Sequence, residues 1–174
     1  EAPALELIVW SHTHYGDPRA GGWAATQLIG PSGEQWAPYN ALNGWMNVAG
    51  DRLLHAVRQL APGVFALATL DSENGSVGIV LVNYGYAQRQ VRPINVIVEN
   101  LAAGNWQLRR WNVEPKHSSR WDAAKDPFNA DRYDDLELLE ERKVSVESDR
   151  PLSINLQLPV WSSVFVQLQP AGNP

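Results

Sequence analysis

From residue 51 onward, hydrophobic and polar positions alternate over short segments that are separated by turn-forming residues. In "PLSINLQLP", leucine and isoleucine at every second position predict a strand that is buried on one face. "SVGIVLVNY" is apolar on both parities and predicts a central strand. The pattern predicts eight strands, at 53–59, 63–70, 76–84, 91–99, 105–113, 143–148, 152–158 and 162–168. Several short strands without intervening helices indicate an antiparallel β-sandwich.

The first fifty residues follow a different pattern. "LELIVW" at 5–10 is a continuous apolar run, as expected of a strand buried on both faces, and "SHTHYGDPRAGGW" after it predicts a loop. Apolar residues from Leu42 to Ala49 then lie at i, i+3, i+4 and i+7. Pro38 near the start and Gly50 at the end complete the prediction of a helix. Strand, loop and helix make one β/α unit, which cannot form a domain alone.

Residues 116–142 interrupt the strand pattern with a polar, Asp-rich excursion that is too long for a hairpin turn. Within it, "DLELLEER" combines alternating charges with three leucines. This composition predicts a short, solvated helix with one apolar edge.

The order of strand, loop, helix and β-sandwich resembles the C-terminal end of a (β/α)8-barrel glycosidase. "GGWAATQLIGPSGEQWAPYNALNGWMNVAGDRLL" resembles the segment of glycoside hydrolase family 39 that runs from the last barrel strand through the last barrel helix. The matching residues are Gly21, Gly22, Trp23, Gly33, Pro38, Tyr39, Asn40, Ala41, Gly50 and Asp51. "LRRWNVEPKHSSRW" is similar to a sandwich strand of that family and the His-Ser-Asn that follows it. His117, Ser118 and Trp121 match, whereas Ser119 stands where the family usually has Asn.

The resemblance implies two domains, with residues 1–50 as the last β/α unit of a (β/α)8 catalytic barrel and residues 51–174 as an accessory antiparallel β-sandwich. The function it implies is that of a retaining glycoside hydrolase acting on O-glycosidic bonds of a polysaccharide or oligosaccharide. This chain would brace the barrel, which is its expected partner, and contribute a loop to a sugar subsite. The alternative is a stand-alone, non-catalytic carbohydrate-binding module, since eight tryptophans offer flat rings on which sugars could stack.

The resemblance implies that Trp10 and residues of the loop after the predicted barrel strand line a sugar subsite, at the end of the strands where barrel enzymes build their sites. The candidate contacts are Trp10, His12, His14, Tyr15, Asp17 and Trp23. The family often has an Asp and a pair of acids in this stretch, whereas this sequence has His14 and no acid pair. The sugar specificity of the family therefore does not carry over.

Glu114 belongs to Asn112-Val113-Glu114-Pro115, which is one residue away from the Asn-Glu-Pro signature of many retaining glycosidases. The resemblance implies that both catalytic Glu residues lie on barrel strands upstream of this chain. Glu114 aligns with the sandwich, and Pro115 ends its strand. We therefore expect no catalytic residue in this chain and a surface position for Glu114.

Composition and net charge exclude several classes of partner and site. A net charge of −5 argues against nucleic acid or an anionic membrane as the main partner, and no apolar run approaches 18 residues. The absence of cysteine excludes disulfides and thiolate sites. His12 and His14 could face the same way as metal ligands, but only two other histidines exist, so neither a metal nor a cofactor is expected. Secreted, periplasmic and cytoplasmic locations all remain open.

Overall fold

The computed structural model of the chain describes residues 37–84, 90–118 and 135–172, except for the side chains of Pro38 and residues 55–61. One helix and eight strands lie in these ranges. In chain order they are α1 (Ala37–Val48), β1 (Arg52–Ala61), β2 (Val64–Leu70), β3 (Val77–Asn83), β4 (Arg92–Val98), β5 (Gly104–Val113), β6 (Leu138–Val146), β7 (Leu152–Leu158) and β8 (Ser162–Pro170). Each of the eight predicted strands overlaps an observed strand, but β6 begins five residues earlier than predicted.

The strands form two antiparallel sheets of unequal size. One has six strands in the order β1-β2-β3-β8-β5-β6, and the other pairs β4 with β7. Helix α1 packs on the opposite face of the large sheet, mainly against β3, β8 and β5. The described fold is thus mainly β, as predicted, with three layers: helix, six-stranded sheet and two-stranded sheet.

The main hydrophobic core lies between the two sheets. Its most completely buried members are Val64, Leu81, Leu108, Leu158, Val164, Val166 and Leu168. β7 alternates between buried and exposed positions, because only one of its faces meets the core. β3 is buried at five of its seven positions, since sheet and helix layers cover its two faces. The predicted central strand is therefore confirmed.

A second apolar cluster joins α1 to the outer face of the large sheet. Val48 of α1, Val113 and Phe165 are buried there, and Trp45 packs against them. Gly44 allows the close approach, because a Cβ at this position would lie 2.5 Å from the Phe165 ring. The predicted helix is confirmed, but its apolar spacing identifies the packed face only in part. Met46, which belongs to the predicted stripe, is 68% exposed.

The predicted helix in "DLELLEER" is wrong, because β6 begins at Leu138 and continues through this segment. Glu140 and Glu141 form cross-strand ion pairs with β5, at 3.0 Å to Arg110 and 2.8 Å to Arg109. Neighbouring residues on a strand point to opposite faces, so alternating charges suit an edge strand that pairs with two arginines. The complementary charges lie thirty residues upstream, where local periodicity does not detect them.

Candidate functional site

The predicted sugar contacts Trp10, His12, His14, Tyr15, Asp17 and Trp23 lie outside the described residues, and so does the predicted barrel strand at 5–10. These remain predictions. The helix that follows them is described, together with its attachment to the sandwich. The candidate functional site is therefore this attachment, which we call the helix–sandwich joint: Asn40, Thr69, Gly78, Ser118 and Gln167, with the residues that hold them.

At its N-terminal end, α1 is held by a buried hydrogen bond. Asn40 is completely buried, and its side-chain Nδ2 donates to the carbonyl oxygen of Ser118 over 3.0 Å. The two residues are 78 positions apart in the chain. Both belong to segments that carry the family resemblance, "PYNA" and "KHS". The fold therefore brings two independently recognised segments into direct contact.

Ser118 reaches this position because the chain makes a tight turn after β5. Glu114 and His117 bond each other through both backbone N–H groups, at 3.0 Å each. Ser118 then adopts a left-handed backbone conformation with φ of 55°, and its carbonyl oxygen accepts the hydrogen bond from Asn40. Its hydroxyl accepts a 2.8 Å hydrogen bond from the backbone N–H of Glu137, just before β6. The turn is thus fixed from both sides.

Two carboxylates flank His117 in this turn. Its Nδ1 lies 2.7 Å from Glu137 Oε2, and its Nε2 lies 3.6 Å from Glu114 Oε1. The Glu114 side chain is only 8% exposed, and its Oε2 also accepts from the backbone N–H of Lys116. The prediction of a surface position for Glu114 is therefore wrong. The end of β5 is covered because the turn after it brings His117 back against Glu114.

The cluster of Glu114, His117 and Glu137 is not arranged for glycoside hydrolysis or for metal binding. Retaining hydrolysis needs two carboxyl groups about 5–5.5 Å apart with the scissile bond between them. Here an imidazole ring fills the space between Glu114 and Glu137, so no sugar can enter. Across the described ranges, no group of three or more His, Asp or Glu side chains could hold a metal ion. The geometry makes Glu114 a structural acid that anchors the turn.

At the C-terminal end of α1, side chains of the large sheet satisfy the backbone groups that every helix end leaves unpaired. Thr69 Oγ1 donates to the carbonyl of Val48 over 2.9 Å and accepts from the N–H of Gly50 over 3.1 Å. Gln167 Nε2 donates to the carbonyl of Asn47 over 2.8 Å. The sandwich therefore substitutes for a helix cap.

Just beyond the helix, Asp51 ties the chain to the next turn. The backbone N–H of Ser72 donates to its carboxylate over 2.7 Å and lowers the pKa of Asp51 below its ordinary value. Because the folded pKa is depressed, this bond contributes stability at neutral pH. The contribution is lost as the pH falls through the lowered pKa. Full exposure of Asp51 keeps it small.

Replacing Thr69 with valine should destabilise the fold by about 1–2 kcal/mol, since the isosteric side chain removes both hydrogen bonds and leaves the carbonyl of Val48 buried without a donor. The loss is moderate because Gly50 is only half-buried and its N–H can reach water. Denaturant unfolding measures the difference. Thr69→Ser keeps the hydroxyl and is the control. Equal stability of the valine variant and the wild type would contradict the capping role.

The tryptophans with described side chains serve mainly in packing. Trp106 is buried, and its indole N–H donates to the carbonyl of Ala102 over 2.9 Å. Trp45 and Trp111 pack in the outer cluster. Trp161 meets the Tyr84 ring edge to face, with ring centres 4.9 Å apart. Within the described ranges, no tryptophan is exposed, so they form no flat platform for sugars.

Comparison with solved structures places this architecture among glycosidases. A monomeric β-xylosidase from Caulobacter crescentus CB15 matches with a TM-score of 0.65 at 17% identity, over 84% of this chain and 33% of its own length. The glycoside hydrolase family 39 enzyme from Xanthomonas axonopodis pv. citri gives 0.60 at 16%, over 84% and 32%. A glucosidase from Croceicoccus marinus gives 0.60 at 12%, over 84% and 34%. The likeness shows a shared fold.

The fold is thus glycosidase-like, and the chain spans about one third of the length of each of these enzymes. No family model and no curated protein matches the chain. Within the described part, no helix is long and apolar enough to cross a membrane.

Sequence reasoning found only part of the helix–sandwich joint. Asn40 and Ser118 were singled out by resemblance, without a role. Thr69 is the one polar residue of β2, and that interruption was an available signal. Gln167 is one of four polar residues in β8, so the sequence does not single it out. Their partners lie in a helix 21 and 120 residues away.

Proposed function

We propose that this chain is the C-terminal portion of a retaining glycoside hydrolase similar to family 39, which cleaves O-glycosidic bonds of an oligosaccharide or polysaccharide. In this proposal residues 1–50 are the last β/α unit of a (β/α)8 barrel, and residues 51–174 are the accessory sandwich. The sandwich braces the barrel through α1. The loop at 11–23 contributes to the sugar subsite.

The hydrogen bond between Asn40 and Ser118 carries this proposal. The resemblance gives one segment to a barrel helix and the other to the sandwich, and such an interface needs matched, buried contacts. Asn40 supplies a hydrogen bond that is buried and that water does not reach. The glycosidase-like fold supports the same assignment, because the matched enzymes are about three times longer than this chain.

A stand-alone carbohydrate-binding module has less support. It needs an exposed row of aromatic rings, since sugars stack on flat aromatic faces. Among the described residues of the sandwich, the tryptophans are buried or half-buried, and the exposed aromatic side chains are two, Phe65 and Tyr84. The module also leaves the apolar strand sequence at 5–10 without a role.

The test is a native mass measurement followed by an activity assay. We expect the purified protein to exceed the 19.3 kDa of this chain by the mass of a barrel, either in one polypeptide or in a complex. That sample should hydrolyse aryl β-xylosides or β-glucosides, and the 174-residue chain alone should be inactive. A folded 19.3 kDa monomer that binds xylan or cellulose would overturn the proposal in favour of the module.

Glu114→Gln should leave the kcat of that enzyme within about twofold of wild type, because the Glu114 side chain is enclosed against His117 and the backbone N–H of Lys116. Losing a true general acid/base removes about a hundredfold or more. The rate on an aryl glycoside measures the difference. Glu99→Gln, on the exposed end of β4, is the matched control for a lost carboxylate. A hundredfold loss confined to the Glu114 variant would restore Glu114 as a catalytic residue.

A further inference from the structure

The cluster of Glu114, His117 and Glu137 has a titratable ring at its centre, and the protonation of that ring changes which contacts the cluster can make. His117 Nδ1 lies 2.7 Å from Glu137 Oε2, and Nε2 lies 3.6 Å from Glu114 Oε1. An imidazolium ring presents an N–H to both carboxylates, whereas a neutral ring has one N–H and one lone pair. Only the charged ring therefore suits both neighbours.

The shorter contact decides which carboxylate loses its partner when the ring is neutral. The 2.7 Å distance to Glu137 Oε2 requires a proton on Nδ1, because two acceptors without a hydrogen between them repel each other at this separation. Nε2 then directs a lone pair toward Glu114 Oε1. The Glu114 side chain is only 8% exposed, so water does not fully replace the lost contact. Among the described residues, His117 is the one basic side chain within ion-pair distance of Glu114.

The other charges around this turn do not replace the imidazolium. Lys116 is exposed and bonds Glu114 through its backbone N–H, at Oε2. Asp135, just before β6, is exposed and has the same sign as Glu114. The arginines at the end of β5 form cross-strand pairs with β6. Helix α1, which is bonded to the turn, contains no charged residue, and Tyr39 is its one titratable side chain. Histidine is the side chain whose ordinary charge change falls between pH 5 and 8, so in this range the cluster depends on His117.

We propose that His117 is a pH-sensitive switch of the helix–sandwich joint, which is held tightly when the ring is charged and loosened when the ring is neutral. The turn carries Ser118, whose carbonyl accepts from Asn40 and whose hydroxyl accepts from the N–H of Glu137. Losing the contact to Glu114 therefore weakens the turn that connects α1 to the sandwich. Because the closed turn favours the protonated ring, the joint loses stability as the pH rises through the range in which the ring loses its proton. The switch does not rest on the proposed glycosidase function.

Hydrogen exchange of the complete purified protein tests the switch. The readouts are the N–H groups of Glu114 and His117, which bond each other's carbonyls, and that of Glu137, which bonds Ser118. Their protection factors, which correct for the intrinsic effect of pH on exchange, should fall about fivefold between about pH 6 and about pH 8, as expected when one partly exposed charged contact is lost. The N–H groups that join β3 to β8 should keep their protection. Equal protection of the turn at both pH values would overturn the proposal.

Glu114→Gln identifies the group responsible. A glutamine amide accepts from a charged ring or donates to the lone pair of a neutral ring, so this variant should lose the pH dependence at the turn. It leaves every other charged residue in place, so a dependence caused by another group would persist, and that result would overturn the proposal. Glu99→Gln, just after β4, removes an exposed carboxylate elsewhere and should keep the wild-type dependence. Loss of the dependence in both variants would equally overturn the proposal.

The tautomer of the neutral ring is a measurement that needs no variant. At about pH 8, nitrogen chemical shifts of the His117 ring should show a neutral ring with its proton on Nδ1, facing Glu137. A proton on Nε2 would direct the N–H to Glu114 and leave no unfavourable contact there. That tautomer, or a ring that is still charged at this pH, would overturn the proposal.

Discussion

Gly78→Ala should destabilise the protein by about 3 kcal/mol or more, the upper end of what overpacking costs. A Cβ at this position would overlap the carbonyl oxygen of Val48 and lie 2.9 Å from Thr69 Oγ1. The first contact is with backbone, which cannot rotate away as the end of a flexible side chain can. Helix α1 must therefore lift from the sheet, and Thr69 must lose its bonds to the helix end.

Thermal and denaturant unfolding measure this loss. For a protein of this size, about 3 kcal/mol corresponds to a decrease of about 6–12 °C in Tm. Gly172→Ala is the control, because a Cβ there meets nothing within 4 Å. A Gly78 variant with wild-type stability would mean that α1 does not rest on β3 in solution.

Asn40→Ala should cost about 2–3 kcal/mol, since it removes a buried hydrogen bond and leaves the carbonyl of Ser118 without its donor. The change also opens space in a position that is completely buried. Because Asn40 joins the helix to the turn after β5, we expect hydrogen exchange to accelerate at the N–H groups of Glu114, His117 and Glu137. The strands β3 and β8 should remain protected, because their backbone groups bond each other inside the large sheet.

Asn43→Ala is the matched control for this variant. Asn43 lies on the same helix, one turn away, and is only half-buried. Its replacement should be neutral or slightly stabilising, because alanine favours helix. An equal loss of stability at both positions would show that it comes from the change within the helix. The helix–sandwich joint would then not be its cause.

The strands could be predicted because each depends on local alternation. In β7, every second residue is a leucine or isoleucine that enters the core, so the pattern alone defines both faces. β3 could be recognised as central because both of its faces are apolar. The helix was marked by Pro38, Gly50 and an apolar stripe. The missed first half of β6 has no such alternation, since its identity depends on Arg109 and Arg110 in β5.

The joint was predictable only in its parts. The resemblance singled out Asn40 and Ser118, but no local signal indicates that they touch across 78 residues. Glu114 looked exposed because a Pro ends its strand. Its burial results from the turn that brings His117 back against it and from Glu137 beyond the turn. Such contacts form where the chain turns back on itself. The alternation of apolar and polar residues does not predict them.

The sequence by itself determined the antiparallel strands and the helix before them, because these follow from periodic burial and turn residues, whereas the glycosidase-like fold was indicated only by the resemblance to known glycosidases. Only the tertiary structure decided which helix face packs, how Thr69 and Gln167 cap the helix end, and that Glu114 is enclosed. The physical reason is the range of the interactions. Periodicity records the burial of neighbouring residues, whereas the joint depends on pairs that only the completed sandwich brings within hydrogen-bonding distance.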